Sequence, residues 1–376
     1  MTSEVPFYLG GGRLSLVDDG LKICGATRPL IEAVVRDRVR ALPGVRFVER
    51  CDVDGVVTTP DKTRVTGVRL RSRTDPKADE TVAADLVVDT MGRGSRSPRW
   101  LADLGYPVPD EKRMRVDVHY STRLFHREPA DLDGCRHVIV GLPPSGRRGG
   151  LTLAVEGDRW LVTLVGMLGE RPPSDLDGFV EYARTLWSGE VHEVVDRATP
   201  IGEGVTGAFH EYVRHCYDRL TAFPDRYVVS GDAVCSLNPV YAQGMSVAIS
   251  EAQTLGLIVD RHGLDRVGKR FFRQTRQLVN TAWTLATGAD LAHPEVQGPR
   301  PMPWRVINAY MNRLLPAAHR DPLVADMFLK VNTFVAPPPH LFHPRILAHV
   351  LRNGRTPTGR EHAEPVRTGQ DAQSSP

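Results

Sequence analysis

Cysteine is sparse and unpatterned in this chain of 376 residues: Cys24, Cys51, Cys135, Cys216 and Cys235 form no C-x-x-C pair and no metal-site spacing. A disulfide framework is therefore excluded, and reduced, mostly buried thiols are expected. Long apolar runs are missing too. The longest, Leu161 to Leu168, has eight residues and includes Thr163 and Gly166, against the roughly 20 that cross a bilayer, so no membrane span is expected. The opening Met-Thr-Ser-Glu-Val-Pro has neither the basic patch nor the apolar core of a secretory signal, which points to a cytoplasmic protein. Charge of one sign is not in excess: 48 basic against 45 acidic residues leave +3, scattered along the chain, and nucleic acid is not an expected partner. No P-loop and no Gly-x-Ser-x-Gly elbow occurs, so nucleotide hydrolysis and serine-hydrolase chemistry have no starting point. His119, His126 and His137 fall in no ligand spacing and beside no carboxylate in a ligand pattern, so no metal is expected.

What remains is a composition with 41% hydrophobic and 25% charged residues, that of a globular protein with a sizeable core. Apolar periodicity predicts a helix over Ile31 to Leu42 after Arg28-Pro29, with Pro29 suited to a first helical turn. Short strands are predicted at Val45 to Val48, Asp52 to Thr59, Arg64 to Ser72 and Ala84 to Asp89, the last running into Gly92-Arg93-Gly94-Ser95. From Arg113 the period is two, and Val116, Val118, Tyr120, Thr122 and Leu124 alternate with polar partners, as in a curved antiparallel sheet with one covered face. Leu151 to Val155 and Trp160 to Leu168 flank Glu156-Gly157-Asp158-Arg159 as a hairpin. Tyr120, Phe125, Trp160 and Trp187 are candidates for a pocket wall or for core. Helical spacing returns after Asp175, over Ser246 to Val259, over Val267 to Leu285 and over Trp304 to Leu315.

The most informative segment is Tyr227-Val228-Val229-Ser230-Gly231-Asp232-Ala233, followed by Asn238-Pro239-Val240-Tyr241-Ala242-Gln243-Gly244-Met245-Ser246 and a helix. It resembles the second FAD-binding signature, Gly-Asp-Ala then Pro-x-x-Gly-x-Gly, of flavin monooxygenases of the aromatic-hydroxylase and squalene-epoxidase type. A carboxylate just past a strand end accepts hydrogen bonds from ribityl hydroxyls, glycine lets backbone approach a flat ring, and a helix N-terminus favours the negative charge of reduced flavin. The resemblance assigns cofactor contact to Gly231, Asp232, Ala233, Pro239, Gln243, Gly244, Met245 and Ser246, and to Arg28 ahead of the first helix. Ala242 departs from it, standing where the family has a glycine. Asp85 to Arg96 is similar to the family's middle motif, with Met91 out of pattern; a tight turn from Gly92 and Gly94 and a helix begun by Ser97-Pro98 is the alternative reading.

Such proteins open with a strand and Gly-x-Gly-x-x-Gly for the pyrophosphate. Gly10-Gly11-Gly12 lacks the third glycine, and Gly202 to Gly207 matches the pattern without a strand before it, a coincidence. By resemblance, Met1 lies about one cofactor subdomain into a complete flavoprotein, either a late start or a shortened relative. The implied fold is α/β (α+β): a partial Rossmann-like FAD domain over residues 1–100, an antiparallel-sheet substrate domain over 101–224, a return to the FAD domain over 225–265, C-terminal helices over 266–352 and a disordered tail over 353–376. The implied activity is that of an FAD-dependent oxidoreductase, a hydroxylase or epoxidase inserting oxygen into a small apolar or aromatic metabolite through a flavin hydroperoxide. Molecular oxygen is then a co-substrate and NAD(P)H a candidate electron donor, and no side chain is assigned as catalytic acid or base. A prenyl-reductase-like flavin enzyme and a shortened, non-catalytic relative that binds no FAD are the alternatives.

Overall fold

The computed structural model describes residues 5–17, 20, 24–75, 79–142, 146–300 and 302–354. The tail expected beyond Asn353 lies almost wholly outside them. In chain order the elements begin with β1 (Phe7–Leu9), β2 (Gly12–Arg13) and α1 (Arg28–Arg40), then β3 (Cys51–Thr58), β4 (Val65–Ser72), β5 (Glu80–Ala83), β6 (Val87–Asp89) and α2 (Ser97–Leu104). The middle of the chain supplies β7 (Glu111–His126), β8 (His137–Val140), β9 (Arg148–Val155), β10 (Arg159–Met167), α3 (Leu176–Arg184), α4 (Glu190–Arg197) and β11 (Pro200–His215). After β12 (Tyr227–Val229) and β13 (Cys235–Ser236) come α5 (Gly244–His262), α6 (Val267–Asp290), α7 (Met302–Ala318), α8 (Pro322–Asn332) and α9 (Pro344–Asn353).

Local chemistry accounts for many of these boundaries. Thr27 caps α1 by accepting from the Leu30 N–H, and Pro29 fills the first turn, so the helix starts three residues before the first apolar-periodic position. Asp175 caps α3 through the Gly178 N–H at 2.8 Å. The β3–β4 and β9–β10 hairpins form where turn residues separate alternating arms. Val45 to Val48 is not a strand: no neighbouring strand lies beside it among the described residues, and Val45, Phe47 and Val48 stay exposed.

Three sheets result among the described residues. Eight strands run in the order β13-β11-β7-β10-β9-β8-β1-β2, the tripeptide β1 adding to the edge parallel to β8. A small antiparallel sheet holds β3-β4-β5, and β12 pairs in parallel with β6. The large sheet does not keep one covered face, as its alternation suggested. Val116 and Val118 of β7, with Val165 and Met167 of β10, pack into a core shared with α2, α5 and α6. Farther along the same strands, Phe125, Trp160, Val162 and Leu164 pack from the opposite face under α3 and α4. Ser121 and Arg123 are accordingly buried on what the alternation marked as the polar side. A twisted sheet turns each end toward a different set of helices, and side chains two apart follow the local face. Phe125 and Trp160 are core, not pocket wall. A third core joins Leu14 and Val17 to α7, α8 and α9.

Candidate functional site

The site grows from two parallel strands. Tyr227, Val228 and Val229 of β12 pair with Val87, Val88 and Asp89 of β6, so both strands end at the same level and each leads into a glycine turn. The ends of neighbouring parallel strands are where α/β proteins place ligands. One turn is the short 3-10 segment Gly92–Gly94, the other Gly231–Ala233. Gly92 (φ +65°) and Gly231 (φ +68°) both adopt the left-handed backbone that glycine accepts freely, and a Cβ on Gly92 would lie 3.9 Å from the Asp232 Cβ. The two sequence motifs, some 140 residues apart in the chain, are therefore one structure.

The buried Asp89 carboxylate fixes the first turn. It accepts from the Met91 N–H at 2.8 Å and from the hydroxyls of Ser95 and Ser97, and Ser97 in turn bonds the Tyr227 hydroxyl across the strand pair. The middle motif is thus the tight turn and Pro98-primed helix of its structural reading, with Met91 partly exposed at the rim. Glu251 of α5, 1% exposed, fixes the second turn by accepting from the Gly231 N–H at 2.6 Å and the Ser230 hydroxyl at 2.8 Å. Burial raises the Glu251 carboxyl above the ordinary range, against the pull of those two donors.

Pro239–Tyr241, capped by Asn238, forms a third 3-10 turn, and α5 begins at Gly244. Asp290, at the end of α6 and fully buried, anchors this turn by accepting from the hydroxyls of Tyr212 and Tyr241 and from the Asn238 amide. Burial raises its carboxyl too, and the same three donors oppose the shift. Ala242, the residue that departs from the family pattern, has φ 52° and ψ 28°. This is a left-handed backbone that glycine accepts freely, and a side chain there carries a conformational cost of about 1–2 kcal/mol.

Asp232 sits where the resemblance places a ribityl-binding carboxylate. It accepts no hydrogen bond from any described residue and faces a cleft of about 430 Å³ that it lines with Arg93, Arg96, Arg99, Arg113 and Ser236. The surrounding protein raises its carboxyl by excluding water, against the attraction of Arg28 and Arg93. A Cβ on Gly244 would lie 3.8 Å from the Asp232 Oδ1, so the N-terminus of α5 opens beside the carboxylate. Among the described residues no side chain caps that helix, and Met245 and Ser246 are exposed in its first turn. These groups fit a flavin: a carboxylate free to accept, a helix end free to donate, and glycine where a ring would come close.

The other predicted residues divide. Arg28 lies within electrostatic reach of Asp232 and Tyr120 while its guanidinium pairs with Glu32 at 2.7 Å on the surface. Ala233 is buried, Pro239 is exposed on the turn, and Gln243 is buried with its Oε1 unpaired. Sequence reasoning passed over Glu251, Asp290 and Arg93. Arg93 has no ion-pair partner among the described residues and lies over the Phe209 ring at 5.3 Å. No local signal marks a carboxylate inside a helix as the anchor of a distant turn. Of the remaining glycine motifs, Gly10-Gly11-Gly12 turns between β1 and β2, and Gly202 to Gly207 lies inside β11. His119, read as a plain strand histidine, has Asp117 Oδ1 at 2.9 Å from its Nε2.

No family model matches the chain. Protein Rv3254 of Mycobacterium tuberculosis is 31% identical over 357 residues, which cover 91% of this chain and 74% of that protein. Solved structures of low identity share the fold. A flavoprotein/dehydrogenase from Cytophaga hutchinsonii superposes with a TM-score of 0.62 at 15% identity, over 92% of this chain and 78% of its own. The flavin-dependent brominase Bmp2 gives 0.57 at 15%, over 93% and 82%. The tetrameric form of 2-methyl-3-hydroxypyridine-5-carboxylic acid oxygenase gives 0.52 at 18%, over 85% and 78%. The chain thus belongs to the family of Protein Rv3254 and is built on the mixed α/β fold of the FAD-dependent monooxygenases and halogenases.

Proposed function

We propose that this protein is an FAD-dependent oxidoreductase, a monooxygenase that transfers oxygen to a small apolar or aromatic molecule. The observation that carries the reading is the joining of the two glycine turns at parallel strand ends, with the free Asp232 carboxylate and the uncapped start of α5 facing one cleft. Flavin, when bound, supplies the oxygen chemistry. The chain's own part would be to bind and orient: Asp232 would accept from the ribityl hydroxyls, the Gly244, Met245 and Ser246 N–H groups would donate to the electron-rich side of the ring, and Arg28 and Arg93 would offset negative charge. Ala233, Pro239 and Gln243 shape the turns from behind, with Gly231 and Gly244 keeping the approach open.

The domain division we propose follows the same logic, with residues near β6, β12 and α5 holding cofactor and the large sheet covering substrate. Glu111 and Glu211 of the same cleft pair with Arg113 at 2.8 and 2.9 Å, and Arg93, which has no ion-pair partner among the described residues, favours a substrate or reductant that carries an acidic group beside its apolar body. Anaerobic mixing of the FAD-loaded protein with NADH or NADPH tests the reading: bleaching of the flavin, then oxygen uptake that rises with an aromatic acid, is expected. Bleaching with no substrate-dependent oxygen uptake points to the reductase alternative. Absence of bleaching with either donor and with dithionite-reduced flavin inert to oxygen contradicts the oxygenase reading.

A further inference from the structure

A second cluster of ligand-type side chains lies on the large sheet. Asp117 and His119 are two apart in β7, so they leave the strand on one face, opposite the buried Val116 and Val118. The β7–β11 register slips between Phe209, opposite Val118, and Glu211, opposite Arg115, so two residues of β7 stand across from the single His210. Such an irregularity re-aims side chains, and here it sets His210 against Asp117. His119 Nε2 is 2.9 Å and His210 Nδ1 is 3.7 Å from Asp117 Oδ1, and the three atoms lie within 4.8 Å of one another.

We propose that Asp117, His119 and His210 bind one divalent transition-metal ion, for which zinc is the best chemical match. Two imidazoles and a carboxylate are nitrogen and oxygen donors suited to zinc and its neighbours in the first transition row. Zinc ligands at 2.0–2.2 Å in a tetrahedron are separated by roughly 3.3 Å, and the two measured separations from Asp117 Oδ1 bracket that value. The His119 and His210 nitrogens lie no more than 4.8 Å apart, and His210, 69% exposed at its side chain, has room to adjust. The Gly169 N–H donates to Asp117 Oδ2 at 3.2 Å, which orients the carboxylate and leaves Oδ1 to the ion. Asp117 and His210 line a groove of about 270 Å³ together with Arg115, Leu168 and Glu295, which would leave room for water or an outside ligand as the fourth donor. This groove shares no lining residue with the cleft at Asp232, so the site is independent of the flavin reading.

The test is a titration of the full chain, without an affinity tag and stripped with chelator, with Co²⁺ followed by visible absorption and with Zn²⁺ by calorimetry. One ion per chain with micromolar or tighter affinity is expected. His210→Ala and Asp117→Asn should each weaken binding by about 100-fold or more, whereas His126→Ala, at the exposed far end of β7, should leave it unchanged. His210 contributes nothing to the core, so its variant keeps the native circular dichroism. Affinity no tighter than millimolar, or His210→Ala binding as tightly as the native chain, overturns the proposal.

Discussion

Replacing Glu251 separates the roles of shape and charge behind the Asp232 turn. In Glu251→Ala the Gly231 N–H and the Ser230 hydroxyl lose their acceptor inside the protein. Leaving a buried donor unpaired costs about 1–3 kcal/mol each, and removal of a desolvated carboxylate returns part of this, so a net loss of about 2–4 kcal/mol follows. Glu251→Gln keeps an oxygen for both donors, but its amide occupies the place of Oε1, which has no partner, and roughly 1 kcal/mol is lost. Urea unfolding gives both numbers, and FAD titration by fluorescence gives the consequence: affinity falls at least tenfold in the alanine variant and changes little in the glutamine variant. The pH dependence is a second readout. Burial raises the folded Glu251 above its unfolded value of 4.5, so the folded state holds the extra proton and this residue's contribution to stability falls as pH rises from about 4.5 through the folded pKa, then levels. The native-minus-glutamine difference in stability must follow that fall. A difference independent of pH, or an alanine variant within 0.5 kcal/mol of native by urea unfolding, would refute the reasoning.

Two further substitutions probe the same framework. Ala242→Gly relieves a left-handed backbone cost of about 1–2 kcal/mol while restoring about 0.4–1 kcal/mol of unfolded-chain entropy; a gain near 0.5–1 kcal/mol and a rise of one or two degrees in Tm are expected, and a lower Tm contradicts the assignment. Asp290→Ala removes the acceptor shared by Tyr212, Tyr241 and Asn238, so a loss of roughly 3 kcal/mol and faster hydrogen exchange across residues 238–246 are expected. Unchanged exchange there would show that Asp290 does not hold the turn.

Much of this structure is written locally in the chain. Pro29 after a threonine cap, the Glu156 to Arg159 turn and the valine run into Gly231-Asp232 state their own conformations, because capping, turn type and strand burial depend on neighbours in sequence. The change of covered face along β7 is not written that way: Phe125 steps off the alternation that carries Val116 and Val118, and only the twist of the sheet decides which helices meet each face. Val45 to Val48 carries a strand's composition yet lacks a pairing neighbour, and pairing is a property of the fold. At the candidate site, glycine and aspartate at a strand end were legible because a short apolar strand running into Gly-Asp is a local pattern. Glu251 and Asp290 were not, because each serves a turn 20 or more residues away through burial and hydrogen bonds that leave no periodic trace. The His210 side chain reaches Asp117 only through a register slip between two strands.

Flavin binding in the Asp232 cleft, as proposed, underlies every role assigned to the two glycine turns. Its most direct test is the visible absorption spectrum of the full chain, incubated with excess FAD and desalted, beside Asp232→Ala treated identically. Retained flavin absorbance is expected in the native chain and its loss in the variant, with both folded by circular dichroism. A folded native chain that retains no flavin, or a variant that retains as much as the native chain, would contradict it.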